Sequence, residues 1–295
     1  MGTETASRRF KGIDAWEDAE ILDALLESQL AAVAAVRPAL PALAAASADA
    51  APRLRRGGRL VYAGAGTSGR VAAQDGSELF PTFGHPQDRL AYLIAGGATA
   101  LSRPVENAED DADAGRSEAA ALRLGPDDVV IGVAASGGTP YTRAVLQEAG
   151  RAGALTIAVA SNPGAPIFGD AAHAVLLATG EEPVAGSTRL KAGTAQKVAL
   201  NLFSTPVMTR LGHVYDGLMV DMQPTNAKLN VRSVRMLRSI VPVDEATARS
   251  ALEAAGQNVK LAALVAMGDS AEEGRRRLDA ADGDLRRALA AKQGS

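Results

Sequence analysis

The sequence of 295 residues contains no cysteine, which removes disulfides, thiolate nucleophiles and thiolate metal sites together. Aromatic residues are scarce at 3%, and alanine dominates an apolar share of 47%. Close helix packing is therefore expected in place of a large aromatic core. No strong excess of charge exists either. A formal net charge of −3 gives no electrostatic reason to expect nucleic acid or an anionic membrane as partner. No uninterrupted apolar stretch of about twenty residues is found, so no membrane-spanning helix is expected. The opening MGTETASRRF lacks the basic-then-apolar layout of a signal peptide, and Ala6 departs from the myristoylation pattern. Together with the missing thiols, these features point to a cytoplasmic protein. The three histidines, His85, His173 and His213, share no spacing that suits metal ligation. His173, inside an apolar run, reads as a core histidine.

What is present is concentrated in RLVYAGAGTSGRVAAQDGSELFPTFG, from Arg59 to Gly84. Leu60 to Ala63 suits a buried parallel strand. Gly64, Gly66 and Gly69 follow with Thr67 and Ser68 between them, and a helical segment then runs until Pro81, where proline is expected to end it. Strand, glycine-rich turn and helix in that order build an anion site. The turn lets N–H groups crowd a phosphate, the hydroxyls add donors, and the helix N-terminus adds partial positive charge. Gly66, Thr67 and Ser68 are thus candidate phosphate-binding residues.

Before this stretch, Glu17 to Ala50 is rich in alanine and leucine, with Ile21, Leu22, Leu25, Leu26 and Leu30 at helical spacing. Pro38 and Pro41 split it into two helices, expected to cover the sheet or a partner subunit. After it, strand candidates recur at Leu90 to Ala95, Val129 to Ala134, Leu155 to Ala160 and Ala174 to Ala178, each separated by enough chain for a crossover. That is the pattern of a parallel α/β sheet covered by helices on both faces. Ser187 reads as the cap of a long helix, interrupted or bent near Pro206. A polar passage with Pro224 and Asn226 leads into an amphipathic segment through Leu237. Beyond Pro242 the chain reads as three or four short helices punctuated by Gly256, Gly268 and Gly283. The expected organisation is an N-terminal helical segment (1–50), a ligand-binding α/β domain (51–225), and a helical extension with a C-terminal helical subdomain (226–295).

The first turn also fits G-x-G-x-x-G, the dinucleotide fingerprint. That fingerprint wants an acidic residue at the end of the next strand, and here the strand LAYLIA runs into Gly96-Gly97. The absence argues against a dinucleotide. A second turn, Ala135-Ser136-Gly137-Gly138-Thr139-Pro140-Tyr141, again places hydroxyls and glycines between a strand and a helix, with Pro140 suited to the first helical turn. Ser136, Gly137 and Thr139 join the phosphate-binding candidates. The acidic run VENAEDDADAG reads, on charge alone, as a solvated face. Lys191 and Lys197 read as charges on an amphipathic helix.

GAGTSGR, SELFPTFG, AASGGTPYT, SNPGAPI, GSTRLKAGTAQK and LMVDMQPTNAKL together resemble the N-acetylmuramic acid 6-phosphate etherases, members of the sugar isomerase (SIS) phosphosugar-binding fold. The resemblance extends from RRFKGIDAW to the helical tail. Glucokinase regulatory proteins share the fold in much longer chains with two such domains. Where many relatives have Ser-Gly-Arg-Thr-Pro-Tyr, this chain has Gly138 in place of the arginine.

The resemblance implies a five-stranded parallel sheet with flavodoxin-like layering, and cleavage of the lactyl ether to give N-acetylglucosamine 6-phosphate and D-lactate. In the family's route the sugar opens, a proton next to the aldehyde is removed, lactate leaves the neighbouring carbon, and water adds to the unsaturated aldehyde. No redox cofactor or metal is implied. Glu78 and Glu109 match the two catalytic glutamates, Glu78 the proton donor. Glu182, Ser187, Thr188 and Lys191 match residues placed against the sugar. At about 1.5 Å per residue, Glu78 would lie about 13 Å along its helix from Gly69, which suits either a site that includes a neighbouring subunit or a reach across the long axis of the sugar, and the resemblance implies a homodimer. A non-catalytic phosphosugar-binding regulator and a phosphosugar isomerase are the alternative functions.

Overall fold

Short runs that are apolar along their whole length need cover on both faces, and here they form one parallel sheet. In the computed structural model, which describes residues 2–222 and 227–293, the strands are β1 (Leu60–Gly64), β2 (Leu90–Ile94), β3 (Val129–Val133), β4 (Leu155–Ala160) and β5 (His173–Leu176). Their order is β2-β1-β3-β4-β5, and each neighbouring pair is parallel. The expected sheet is present, with β5 beginning one residue early. His173 opens that strand, and its Nε2 is hydrogen-bonded to the Asp49 carboxylate at 2.9 Å.

The chain divides into two compact units, one comprising Asp88–Thr205 and the chain up to Ser77, the other Glu78–Gln87 and the chain from Pro206 onward. In the first, α1 (Asp18–Ala34) and α2 (Leu40–Arg55) are separated by a 3-10 turn at Arg37–Ala39, as the prolines predict. By length and composition alone, Asp18–Arg55 is apolar enough to cross a membrane, with mean hydropathy 1.5 over its most apolar 18 residues. The expectation that no such stretch exists is therefore corrected. The turn breaks the stretch, however, and α2 buries Leu43, Ala46, Ala50 and Leu54 while packing on β3, β4 and β5. The leucines of α1 behave differently, since Leu22, Leu26 and Leu30 are exposed.

Side chains alternate across the sheet. On one face Val61, Ala63, Val130, Ala158 and Ala160 pack with Tyr141, Val145, Leu146 and Ala149 of α5 (Pro140–Arg151) and Ala119 of α4 (Ala112–Ala121). The other face carries Tyr62, whose hydroxyl reaches α3 (Gly66–Phe83) by donating to Asp75 at 2.7 Å. From α6 (Lys191–Arg210), Asn201 Nδ2 and Ser204 Oγ donate to the same carboxylate at 2.6 and 3.2 Å. Burial pushes the Asp75 carboxyl up, and these donors pull it back only in part. Two expectations change. α3 continues two residues past Pro81, because a proline near a helix end deletes one bond while Gly84 N–H still reaches Phe80 at 2.8 Å. α6 runs through Pro206 without interruption to Arg210.

In the second unit, Val214–Tyr215 (β6) and Leu218–Met219 (β7) form an antiparallel hairpin that the sequence reading did not anticipate. Its turn is Asp216-Gly217, both at positive φ (49° and 76°), the geometry two-residue hairpins prefer. Helices α7 (Ala227–Ile240), α8 (Glu245–Ala254), α9 (Val259–Ala266), α10 (Ala271–Ala280) and α11 (Leu285–Gln293) follow. Side chains of Asp244, Asn258 and Ser270 cap α8, α9 and α10, and Gly256, Gly268 and Gly283 take positive φ as the expected punctuation. Lys260 is buried, donating to the Gly212 and Gly283 carbonyls at 3.0 and 2.9 Å beside Asp221. The passage holding Pro224 and Asn226 lies outside the described residues.

The starts of β1 and β3 are joined by Asp128, which accepts hydrogen bonds from Arg59 N, Nε and Nη2 (2.8, 3.1 and 2.7 Å) and from Gly125 N (2.9 Å). Burial pushes the Asp128 carboxyl up, but these donors outweigh it and hold the group below the ordinary carboxylate value. A depressed carboxylate contributes stability that is present above its unfolded pKa and lost as pH falls through the folded one. Asp128→Ala is expected to cost about 3 kcal/mol near neutral pH, and the gap from the parent should shrink below about pH 4. Urea unfolding across that range checks both, and a gap that does not change with pH would count against this account.

Candidate phosphosugar site

The helices that follow the adjacent strands β1 and β3 leave for opposite faces, α3 to the Tyr62 side and α5 to the Val61 side. Their connecting loops diverge as a result, and a crevice opens beyond the carboxyl ends of the two strands, where ligands bind in open α/β sheets. Both loops are those singled out from sequence.

At the first loop, Gly64 ends the strand and Gly69 sits in the first turn of α3. A Cβ on either glycine would come within 2.9 Å of the other's backbone, so this close approach requires both. It draws the helix start down onto the strand and leaves the N–H groups of Gly66, Thr67 and Ser68 without intrahelical acceptors. Ser68 is buried and Thr67 half-buried. Arg70 Nε donates to the Ala100 carbonyl at 3.0 Å.

At the second loop, Ser136 is exposed and its Oγ accepts the Gly138 N–H at 3.2 Å. Gly137, at φ +74°, lies so close to Ala165 that an added Cβ would fall 2.5 Å from the alanine Cβ, while its carbonyl accepts Ile167 N–H at 3.1 Å. Thr139 is the N-cap of α5 but makes no side-chain capping bond, and Pro140 follows at the helix start. The first N–H groups of α5 therefore receive no cap from Thr139. Gly138 faces open space, with Ser136 Oγ at 3.7 Å from a hypothetical Cβ.

The third cluster lies between β5 and α6. Ser187 does not cap the helix, which begins four residues later at Lys191. Glu182 performs that task from a distance, its two oxygens accepting Lys191 N–H at 2.8 Å and Ala192 N–H at 2.9 Å. It is fully buried. Ser187 and Thr188 form a preceding turn, in which the Thr188 carbonyl accepts Gly193 N–H at 2.8 Å. Lys191 Nζ donates to the Glu181 carbonyl at 2.9 Å. Burial lowers its pKa, with Glu182 and Glu181 opposing and Arg9 reinforcing the shift. Gly193 brings this cluster to the first loop, since its Cβ position is 3.2 Å from Thr67 Cγ2.

Glu109 is exposed in the 3-10 turn Ala108–Asp110, and that turn packs on α5. Its acidic neighbours are not equivalent. Asp111 caps α4 by accepting Ala114 N–H at 2.8 Å, and Asp113 pairs with Arg116. Glu78 is exposed on α3, as the first residue of the second compact unit. Sequence reasoning missed Asp75. Its signal was an acid on the buried stripe of α3, one turn from Ala72 and Leu79. Among the described residues no group of three or more His, Asp or Glu side chains is arranged to hold a metal.

Residues 42–150 match the glucokinase regulatory protein N-terminal SIS domain, and residues 101–206 match the SIS domain. The fold resembles a phosphoheptose isomerase from Francisella tularensis, with a TM-score of 0.50 at 19% identity, covering 66% of this chain and all of that one. An N-acetylmuramic acid 6-phosphate etherase of Deinococcus radiodurans is 47% identical over 288 residues, 97% of this chain and 94% of the relative. Proteins of the same name from Symbiobacterium thermophilum and Serratia proteamaculans are 52% identical (72% of this chain, 70% of the relative) and 43% identical (97% of both). With relatives this similar over nearly its full length, the chain belongs to the N-acetylmuramic acid 6-phosphate etherase family.

Proposed function

We propose that this protein is a carbon–oxygen lyase that cleaves the lactyl ether of N-acetylmuramic acid 6-phosphate, releasing D-lactate and leaving N-acetylglucosamine 6-phosphate. The observation that carries the reading is the 47% identity across 97% of the chain to a protein of that name. The crevice between the β1 and β3 loops fits it chemically. Gly66, Thr67 and Ser68 on one side and Ser136, Gly137 and Thr139 on the other offer N–H and hydroxyl donors at two helix N-termini, a suitable cradle for the 6-phosphate. The start of α6 is already neutralised by Glu182, so Ser187, Thr188 and Lys191 serve the rest of the sugar.

An ether resists direct hydrolysis, whereas elimination next to an aldehyde does not. One carboxylate takes the proton beside the aldehyde, the bond to the lactyl oxygen breaks, and the departing lactate gains a proton. Water then adds across the new double bond. No electrons are gained or lost overall, so the scheme calls for no redox cofactor. Glu78 and Glu109 share the proton transfers. The packing of the Glu109 turn on α5 supports its place near the site.

A homodimer suits this arrangement, because Leu22, Leu26 and Leu30 recur at every fourth position of α1 and are 60% or more exposed. A cytoplasmic setting suits a cysteine-free chain acting on a phosphorylated sugar, in the breakdown of cell-wall amino sugar.

Glu78→Gln and Glu109→Gln are each expected to reduce D-lactate release by at least about a hundredfold, with binding of N-acetylglucosamine 6-phosphate kept within a few fold. Unchanged turnover in either variant would remove that residue from the mechanism, and wild-type protein that binds the phosphosugar without releasing lactate would favour a regulator. Gly138→Arg should lower the Kd for the phosphosugar roughly tenfold, about 1.4 kcal/mol, without lowering the melting temperature, since the position faces open space. Leu26→Glu should shift the mass in analytical ultracentrifugation from dimer to monomer.

A further inference from the structure

The first residues of the chain are tied to the sheet's carboxyl edge. Thr3 is fully buried despite its place near the terminus. Its N–H donates to Asn162 Oδ1 at 3.1 Å, and its carbonyl accepts Gly186 N–H at 3.1 Å. Asn162, in the loop after β4, also directs Nδ2 toward Thr3 Oγ1 and the Ser136 carbonyl, both at 3.5 Å. The Glu4 carboxylate lies beside Gly186, 2.9 Å from where a Cβ would stand. Gly2 to Thr5 forms a closed turn, with Thr5 N–H on the Gly2 carbonyl at 3.0 Å.

The sheet by itself does not make this connection. β3 and β5 are separated by β4, so the ladder of the sheet does not join the loop after β3 to the chain that leaves β5. The segment from Leu177 to Leu190 is also long and has no regular secondary structure, the kind of connection that is costly to order. Thr3 and Asn162 together lace all three loops across that edge. A loop held in place beforehand binds its ligand more tightly, because less order is lost on binding.

Building on the phosphosugar reading above, we propose that Thr3 and Asn162 are positioning residues: they hold the Ser136 and Ser187 loops at the spacing that the phosphosugar requires. Neither takes part in the proton transfers. Their loss weakens binding and leaves the chemical step largely intact.

Thr3→Pro is the cleanest probe. Thr3 is the second residue of its four-residue turn, a position proline favours, so the change removes the N–H and hydroxyl with the turn kept. Thr3→Pro and Asn162→Ala are each expected to raise the Kd for N-acetylglucosamine 6-phosphate by calorimetry, and the KM for lactate release, about tenfold. The kcat should stay within about threefold and the melting temperature should fall by no more than about 5 °C. The double variant should be no worse than the weaker-binding single one, since both cut the same tie, and Thr3→Ser should behave as wild type. Single variants that bind within twofold of wild type overturn the proposal, as do effects that multiply in the double. Wild-type protein that binds the phosphosugar but releases no lactate sinks the etherase reading alone, and the Kd comparison still decides the strap. Wild-type protein that neither binds nor turns over sinks both.

Discussion

The divergence of α3 and α5 from neighbouring strands is the constraint on which the rest of the structure depends. Strand order β2-β1-β3-β4-β5 places the return point between β1 and β3, and right-handed crossovers then send the two helices to opposite faces. Neither helix end can cover the other. Their first N–H groups are left facing a common gap, and glycine at 64 and 69 lets the α3 end come close enough to the strand to line it. A helix end with open donors is unfavourable in isolation and favourable around an anion. The same topology that leaves these donors open makes the gap suited to an anion.

Buried carboxylates hold that geometry. Asp128 joins the strand starts, Asp75 joins β1, α3 and α6, and Glu182 fixes where α6 begins. Each accepts two or more donors in a shielded setting, where breaking the set leaves groups stranded at a cost of about 1–3 kcal/mol apiece. The exposed pairs Arg151–Glu148, Arg249–Glu245 and Arg276–Glu272 are screened by water and contribute about 0–1 kcal/mol each. The frame of the site therefore rests on three of the chain's acids and little on its surface charge.

Much of this was legible in the chain because it is local. Each strand is a continuous apolar run, and both glycine-hydroxyl turns announce themselves within a few residues. The Asp216-Gly217 hairpin is equally local, but its strands are only two residues long and carry too little alternation to read. What sequence could not supply was long-range. Ser187 has the right chemistry for a cap, but Glu182, nine residues before Lys191, reaches the helix first because the intervening turn folds back. Pro81 predicted a stop that the surrounding helix overrides. Thr3 carries no motif at all, since its burial comes from Asn162 and Gly186, far along the chain.

The hydrogen-bond pattern also sorts the acids by what they can do. A carboxylate whose oxygens are committed to buried donors is a poor proton carrier, because each transfer would strand one of those donors. That disqualifies Asp75, Asp128 and Glu182, however close they lie to a ligand. Within the acidic run the same test removes Asp111, committed to the α4 cap, and sets apart Asp113, paired with Arg116. Glu109 lies exposed on a turn that rests against α5, and Glu78 lies exposed on α3. Charge density along the sequence ranks these residues alike. What sets the frame-building acids apart is the set of buried donors that each one holds.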